Sequence, residues 1–229
     1  MAPAATIGLY VYFSDKHEKE PILLYVAAYF AGVISTLPAG YLNFYGESAV
    51  QYLFSIVDFG TIEIFIEKAI FAFCIVGAGE ELMKFLALRI GSYPRKSFNE
   101  PYDGIVYGAA VALGFASLEN LFYVFEGGVD TAIARMFTAV PMHACAGIIM
   151  GYYIGKAKFS NKPIRELLKG WIYAAFLHGL YDYFLFLNEM PILAIGAVLS
   201  LFISIRLARN AMKIHREISP FKDNPDKID

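Results

Sequence analysis

FAFCIVGAGEELMKFLALR, residues 71–89, places two adjacent carboxylates, Glu80 and Glu81, and one ammonium, Lys84, inside a run of hydrocarbon. A bilayer-crossing helix needs about 20 predominantly apolar residues. A charged side chain at the bilayer centre costs at least about 2.5–3.5 kcal/mol on insertion scales. Ionisable groups at such a place must therefore meet partners, or water, inside a bundle. Helical spacing supplies the first partners. Glu80 and Lys84 stand four residues apart and Glu81 and Lys84 three, so the ammonium reaches either carboxylate.

The rest of the chain is equally apolar. Of its 229 residues 58% are hydrophobic and 17% charged, whereas a soluble domain carries roughly a quarter charged residues. Apolar segments recur at about 3–13, 22–44, 66–89, 102–125, 131–155, 170–187 and 191–208. We therefore expect an all-α, polytopic helical membrane protein of about seven transmembrane helices, with the polar site inside the bundle. Residues 1–229 read as a single integral-membrane domain, with 209–229 as a cytoplasmic tail. The opening MAPAATIGLYVYF has no basic n-region, so no cleaved signal peptide is expected. Cys74 and Cys145 both lie in apolar runs and read as packing residues.

Orientation follows from the basic residues. Sixteen of the nineteen Lys and Arg fall in 14–20, 89–101, 156–169 and the stretch from 206 onward, and the alternate connections hold none. The positive-inside rule then puts the C-terminus in the cytoplasm of a multi-pass cell-membrane protein. Residues 46–68, GESAVQYLFSIVDFGTIEIFIEK, read either as a helix on the outer membrane surface or as an early start to the third span.

Further ionisable groups sit in the other spans: Glu119 with Asn120 in the fourth, Arg135 and His143 in the fifth, His178 and Asp182 in the sixth. Counting residues from the helix ends puts Glu80 and His143 roughly 18 Å from the outer face, His178 roughly 15 Å and Glu119 roughly 10 Å. Four helices thus set ionisable groups in one layer. Structural readings exist for each: an inert ion pair for Glu80, Glu81 and Lys84, a satisfied core imidazole for His143, a plain hydrogen bond for His178 and Asp182, and interhelical bridging for Glu119 and Asn120. Arg135 reads as a snorkelling residue near the surface. Gly147, Gly151 and Gly155, four apart, read as a close-packing stripe.

The motifs, taken in order, resemble those of the PrsW family of intramembrane proteases. EELMK at 80–84 is similar to that family's EExxK, FASLEN at 115–120 to its FxxxEN, and HGLYD at 178–182 to its HxxxD. His143 falls where the family has a further histidine, and DKHEKEP at 15–21 resembles its juxtamembrane acidic-Pro segment. The family is related to the CAAX-prenyl and bacteriocin-processing membrane proteases. The resemblance implies a polytopic peptidase of prokaryotic plasma membranes, some members of which make the first, outside-face cut in a membrane-anchored anti-sigma factor.

On this reading the site residues are Glu80, Glu81, Lys84, Glu119, Asn120, His143, His178 and Asp182. No Ser or Cys nucleophile with a nearby base is evident, which favours direct activation of water. Glu80 would be the general base, Glu81 its partner, and Lys84 the limit on their repulsion. The two histidines would polarise the scissile carbonyl or bind zinc, with either Asp182 or Glu119 as a third ligand. Metal-assisted and metal-free hydrolysis both remain open here. Partners would be a single-span membrane protein or peptide and the lipid bilayer, and no nucleic acid. The rival reading is a proton- or ion-coupled transporter that uses the same carboxylates and histidines.

Overall fold

Helix boundaries fall where the sequence forbids continuation. In the computed structural model, residues 2–57, 60–187 and 190–222 are described. The elements are α1 (Ala2–Ser14), α2 (Ile22–Ile56), a 3-10 turn (Gly60–Ile62), α3 (Glu63–Ala69), a π-helical stretch (Ile70–Gly77), α4 (Ala78–Gly91), α5 (Pro101–Phe137), α6 (Ala139–Lys158), α7 (Pro163–Phe186), a second 3-10 turn (Pro191–Leu193) and α8 (Ala194–Glu217). Pro101 and Pro163 open their helices, where the missing N–H has no helical partner to lose. Gly128 breaks α5 with φ 77°, a backbone state open to glycine, so 101–125 and 127–137 run in different directions.

Among the described residues, three helical stretches are long and apolar enough to cross a membrane: Ile22–Ile56, Pro101–Phe125 and Pro191–Glu217. A fourth joins them if Gly127–Phe137 and Ala139–Lys158, bent by 43°, count as one span. All seven apolar segments are helical, but α7 is not among these spans, and the third segment is divided among α3 (7 residues), the π stretch (8) and α4 (14). At 13 residues α1 is roughly 20 Å long, shorter than a hydrocarbon core of ≈ 30 Å. Residues 46–56 continue α2, and 63–69 run directly into the π stretch, so no separate surface helix forms among the described residues. Asp58 lies outside them, as do residues 223–229 of the tail, whose earlier part, through Glu217, extends α8.

α5 is the axis of the bundle. Its first half is almost wholly buried, packed chiefly on α6 and next on α2, while α2 and α8 turn Leu23, Ile34, Val198 and similar side chains outward, as lipid-facing helices do. The α5–α6 contact rests on glycines. A Cβ on Gly147 would lie 2.6 Å from the Gly108 carbonyl oxygen, and one on Gly104 would lie 2.6 Å from the Gly155 nitrogen. Gly147, Gly151 and Gly155 are thus a close-packing stripe, met by Gly104 and Gly108 from α5. Cys74 and Cys145 are both free thiols, the second buried.

The basic connections gather at one end. Lys158 Nζ donates to the carbonyls of Tyr93 (2.6 Å) and Arg95 (2.9 Å), Tyr107 donates to Glu20, and His215 Nδ1 lies 3.0 Å from the Pro101 carbonyl. The opposite end, around Glu119, holds the site.

Candidate active site

The EE pair is delivered by an irregular helix. Eight residues, Ile70–Gly77, adopt π geometry immediately before α4. Such bulges in otherwise α-helical stretches are frequent at functional sites. Glycines bring this stretch onto α7: a Cβ on Gly77 would lie 2.7 Å from the Ala175 carbonyl, and one on Gly179 would lie 3.0 Å from the Ala72 carbonyl. Trp171 Nε1 donates to the Ala78 carbonyl at 3.1 Å and pins the start of α4. The first turn of α4 therefore faces His178 across a narrow gap.

Glu81 and Lys84 form the inner layer. Glu81 is fully buried, and its Oε1 accepts from Lys84 Nζ at 2.7 Å and from His178 Nδ1 at 2.9 Å. Lys84 Nζ also reaches Glu80 Oε2 at 3.5 Å and His143 Nδ1 at 3.0 Å, and stands 4.0 Å from the centroid of the Phe115 ring. An ammonium only donates, so His143 Nδ1 accepts and its proton sits on Nε2, 2.8 Å from Glu119 Oε2. Glu119 also takes Arg135 Nη2 at 2.8 Å. Arg135 does not snorkel. Its guanidinium turns inward over the Tyr123 ring because Glu119, within reach, would otherwise hold a buried charge unpaired.

Glu80 faces outward from this layer into a cavity of about 420 Å³, which Glu119, Arg135, His143, His178 and Asp182 also line. Glu81 and Lys84 lie behind its wall. Glu80 Oε1 accepts from Asn43 Nδ2 at 2.9 Å. Asn43 on α2 went unremarked in the sequence, although an amide inside an apolar span was the signal for it. Asp182 Oδ2 is 3.2 Å from His178 Nε2, and Glu80 Oε2 is 3.9 Å from the same nitrogen. Asn120 is placed apart from the others. Its Nδ2 donates to the Ala132 carbonyl at 3.3 Å, tying the two halves of α5 together, and it does not line the cavity.

The donor set fits a divalent metal once the Lys84 ammonium gives up the one lone pair of the neutral His143 imidazole, which it occupies here. One ligand atom each from Glu80, His143 and His178 lie within 4.8 Å of one another, and two imidazoles with a glutamate are an ordinary catalytic zinc set. The compact third donor is Glu80, where the sequence offers either Asp182 or Glu119. Among the described residues Asp182 and Glu119 join no such group with both histidines, because each is drawn to one imidazole only. Glu81 accepting from Nδ1 leaves the His178 Nε2 lone pair facing Glu80 and Asp182, the usual way a carboxylate orients a metal-binding imidazole. The charges agree as well. Glu80, Glu81, Glu119 and Asp182 against Lys84 and Arg135 leave a formal excess of two negative charges with neutral imidazoles, which a dication balances.

Comparison with known proteins gives a consistent picture. The family model of the PrsW family intramembrane metalloproteases matches residues 20–208. Protease PrsW of Bacillus subtilis (strain 168) is 36% identical over 187 residues, which cover 81% of this chain and 80% of the relative. Protease PrsW of Geobacillus kaustophilus (strain HTA426) is 37% identical over 190 residues, 82% of this chain and 79% of the relative. A more distant one, Protease PrsW of Clostridioides difficile (strain 630), is 34% identical over 140 residues, 58% and 59% of the two chains. No solved structure matches.

Proposed function

The chain belongs to the PrsW family of intramembrane metalloproteases, a membrane-embedded peptidase, and from that premise we propose that Glu80 is the carboxylate on which peptide hydrolysis depends. The observation that carries this is the division of labour in the EE pair. Glu80 lines the cavity, whereas Glu81 is sealed behind it by Lys84 and His178.

His143, His178 and Glu80 would hold a zinc-class ion. When bound, such an ion lowers the pKa of a water and polarises the scissile carbonyl. The protein's own groups do the rest. Glu80 takes the proton of the attacking water on Oε1, the oxygen that Asn43 holds. Asn43 suits both protonation states, since its Nδ2 donates to the carboxylate and its Oδ1, buried without a partner, is free to accept from the acid after an amide flip. The proton then passes to the leaving amine. Glu81 fixes the tautomer and orientation of His178. Glu119 and Arg135 are a matched pair in the cavity wall, and Arg135 gives the site a positive edge toward the developing oxyanion.

The substrate is a single-span membrane protein or peptide, cut near the outer face as in regulated proteolysis of an anti-sigma factor. The positive-inside rule supports that orientation: the basic connections collect at the end remote from the cavity, which favours a cytoplasmic C-terminus in a cell-membrane protein. Proteoliposomes with a labelled single-span peptide test the reading. Cleavage by the wild type, lost in Glu80→Gln and in His143→Ala/His178→Ala, is expected. A proton-coupled flux without cleavage would replace the peptidase by a transporter.

A further inference from the structure

The far end of the bundle holds a second group of acids, unlike the first. Asp15, Glu18 and Glu20 come from the connection between α1 and α2, and Glu100 and Asp103 from the start of α5. All but Glu18 are at most 2% exposed. One ligand oxygen each from Asp15, Glu100 and Asp103 lie within 4.8 Å of one another, and the same holds for Glu18, Glu20 and Asp103, so Asp103 is common to both sets.

In three of these carboxylates the protein positions one oxygen and leaves the other bare. Asp103 Oδ2 accepts from the backbone of Asn99 (2.7 Å) and Glu100 (2.8 Å), closing the first turn of α5, while its Oδ1 is buried without a partner. Glu20 Oε2 accepts from the Tyr107 hydroxyl, its buried Oε1 has no donor, and the carboxyl lies within hydrogen-bond reach of Asp103 and Ser97. Asp15 Oδ1 faces the His17 N–H at 3.4 Å, and its Oδ2 is bare. Glu18 adds a bare Oε2. No Lys or Arg forms an ion pair with any of the five among the described residues. Lys19 and Lys158, both close by, donate to backbone carbonyls instead, Lys19 to Asp15 and Lys158 to Tyr93 and Arg95. A buried, oriented carboxylate without a counterion costs several kcal/mol, and here several converge.

We propose that Asp15, Glu100 and Asp103, with Glu18 and Glu20 alongside, form a second metal site, one that takes a hard divalent cation of the Ca²⁺ or Mg²⁺ class. All donors are oxygens, with no imidazole or thiolate, which is the preference of those ions and not of zinc. The ion clamps the DKHEKEP connection to the first turn of α5, the helix that carries Glu119 about 24 Å further along.

The test uses the full chain in detergent, stripped with EDTA and titrated separately with Ca²⁺ and with Mg²⁺ while thermal unfolding is followed. At about 100-fold excess over Kd one of the two ions raises Tm by roughly 5–10 °C. The response persists in His143→Ala/His178→Ala and disappears in Asp15→Asn/Glu100→Gln. Tb³⁺, a Ca²⁺ mimic excited through Tyr107, gives luminescence in the wild type that the same pair of changes removes, which keeps the test valid if that variant melts too low to compare. No Tm response to either ion, an equal response in Asp15→Asn/Glu100→Gln, or loss of the response in the histidine variant overturns the site. In the first case the acids are held neutral by shared protons. In the last the ion belongs to the other cluster.

Discussion

Two clusters of carboxylates lie along α5, one at its start and one about 24 Å further on around Glu119, and their charge is compensated by different means. Around Glu119 each acid has a cationic or imidazole partner on the chain: Lys84 for Glu80 and Glu81, Arg135 and His143 for Glu119, His178 for Asp182. Around Asp103 no basic side chain forms an ion pair among the described residues, and the free oxygens point at one another's neighbourhood. The first cluster must hold charge in a defined pattern while a substrate comes and goes, which fixed side-chain partners permit. The second is closed by chain packing and suits a small exchangeable charge. Burial of acids is common to both, so what separates them is the source of compensation.

The largest effect on stability should come from removing the compensation where it is covalently built in. Lys84→Met leaves Glu81 buried without its ammonium, and a loss of about 3–5 kcal/mol is expected in denaturant titration. Glu81→Gln/Lys84→Met should recover most of it. A single variant as stable as the wild type would mean that the cluster near Glu119 is neutralised from elsewhere, as the other one is.

Glycine packing sets how rigidly α5 holds the two clusters apart. Gly108→Leu drives a side chain into α6, where even a Cβ meets the Gly151 backbone at 3.0–3.2 Å. Overpacking of this kind typically costs about 1–3 kcal/mol, and the loss of Tm should be matched by Gly147→Leu. Unchanged Tm in both would mean that α5 and α6 are free to separate.

At the uncompensated end pH takes the place of a partner. Burial raises Asp15 from 3.8 to about 6, against smaller lowering effects of the His17 backbone and Lys19, and raises Glu100 from 4.5 to about 7. Burial, with help from Glu20 and Asp15, raises Glu18 from 4.5 to about 7. An acid whose folded pKa is raised binds its proton more tightly when folded. Its stabilising contribution is full below about pH 4 and is lost as pH climbs through 6 and 7. In EDTA, Tm should therefore fall between pH 5 and pH 8, and Ca²⁺ or Mg²⁺ should restore it at pH 8. A Tm that rises over that range would reverse the contrast between the clusters. The smallest effect on Tm is expected at Asn43→Leu, which removes one hydrogen bond to ionised Glu80 but leaves Glu80 able to take up a proton instead. Activity measured against pH should shift in its acidic limb, toward higher pH, with little change in Tm.

Much of the first cluster was legible because an ionisable residue in hydrocarbon is an anomaly on its own. Glu80, Glu81, Lys84, Glu119, His143, His178 and Asp182 stood out by residue type, and helix counting put them at one depth. Their pairing was not legible, since it depends on the rotation of each helix about its axis. That is why Arg135 read as a surface residue, and why Asn120 read as part of the site although it binds the Ala132 carbonyl. The π stretch at Ile70–Gly77 had no signal in an all-apolar segment. The second cluster was hidden for the opposite reason. DKHEKEP stands out in the sequence only by its resemblance to an acidic-Pro segment, and its burial arises because the start of α5 folds over it.

The central claim is that Glu80 carries chemistry and is more than one member of an ion pair. The most direct measurement is the rate of cleavage of a labelled single-span peptide in proteoliposomes by Glu80→Gln and by Glu80→Gln/Lys84→Met. The amide keeps the shape of the side chain but takes no proton. Glu80→Gln should purify and unfold like the wild type, the double variant should be less stable because Glu81 loses its ammonium, and both should lose at least about 100-fold in rate. Wild-type cleavage by the double variant would make EELMK a structural ion pair and contradict the account.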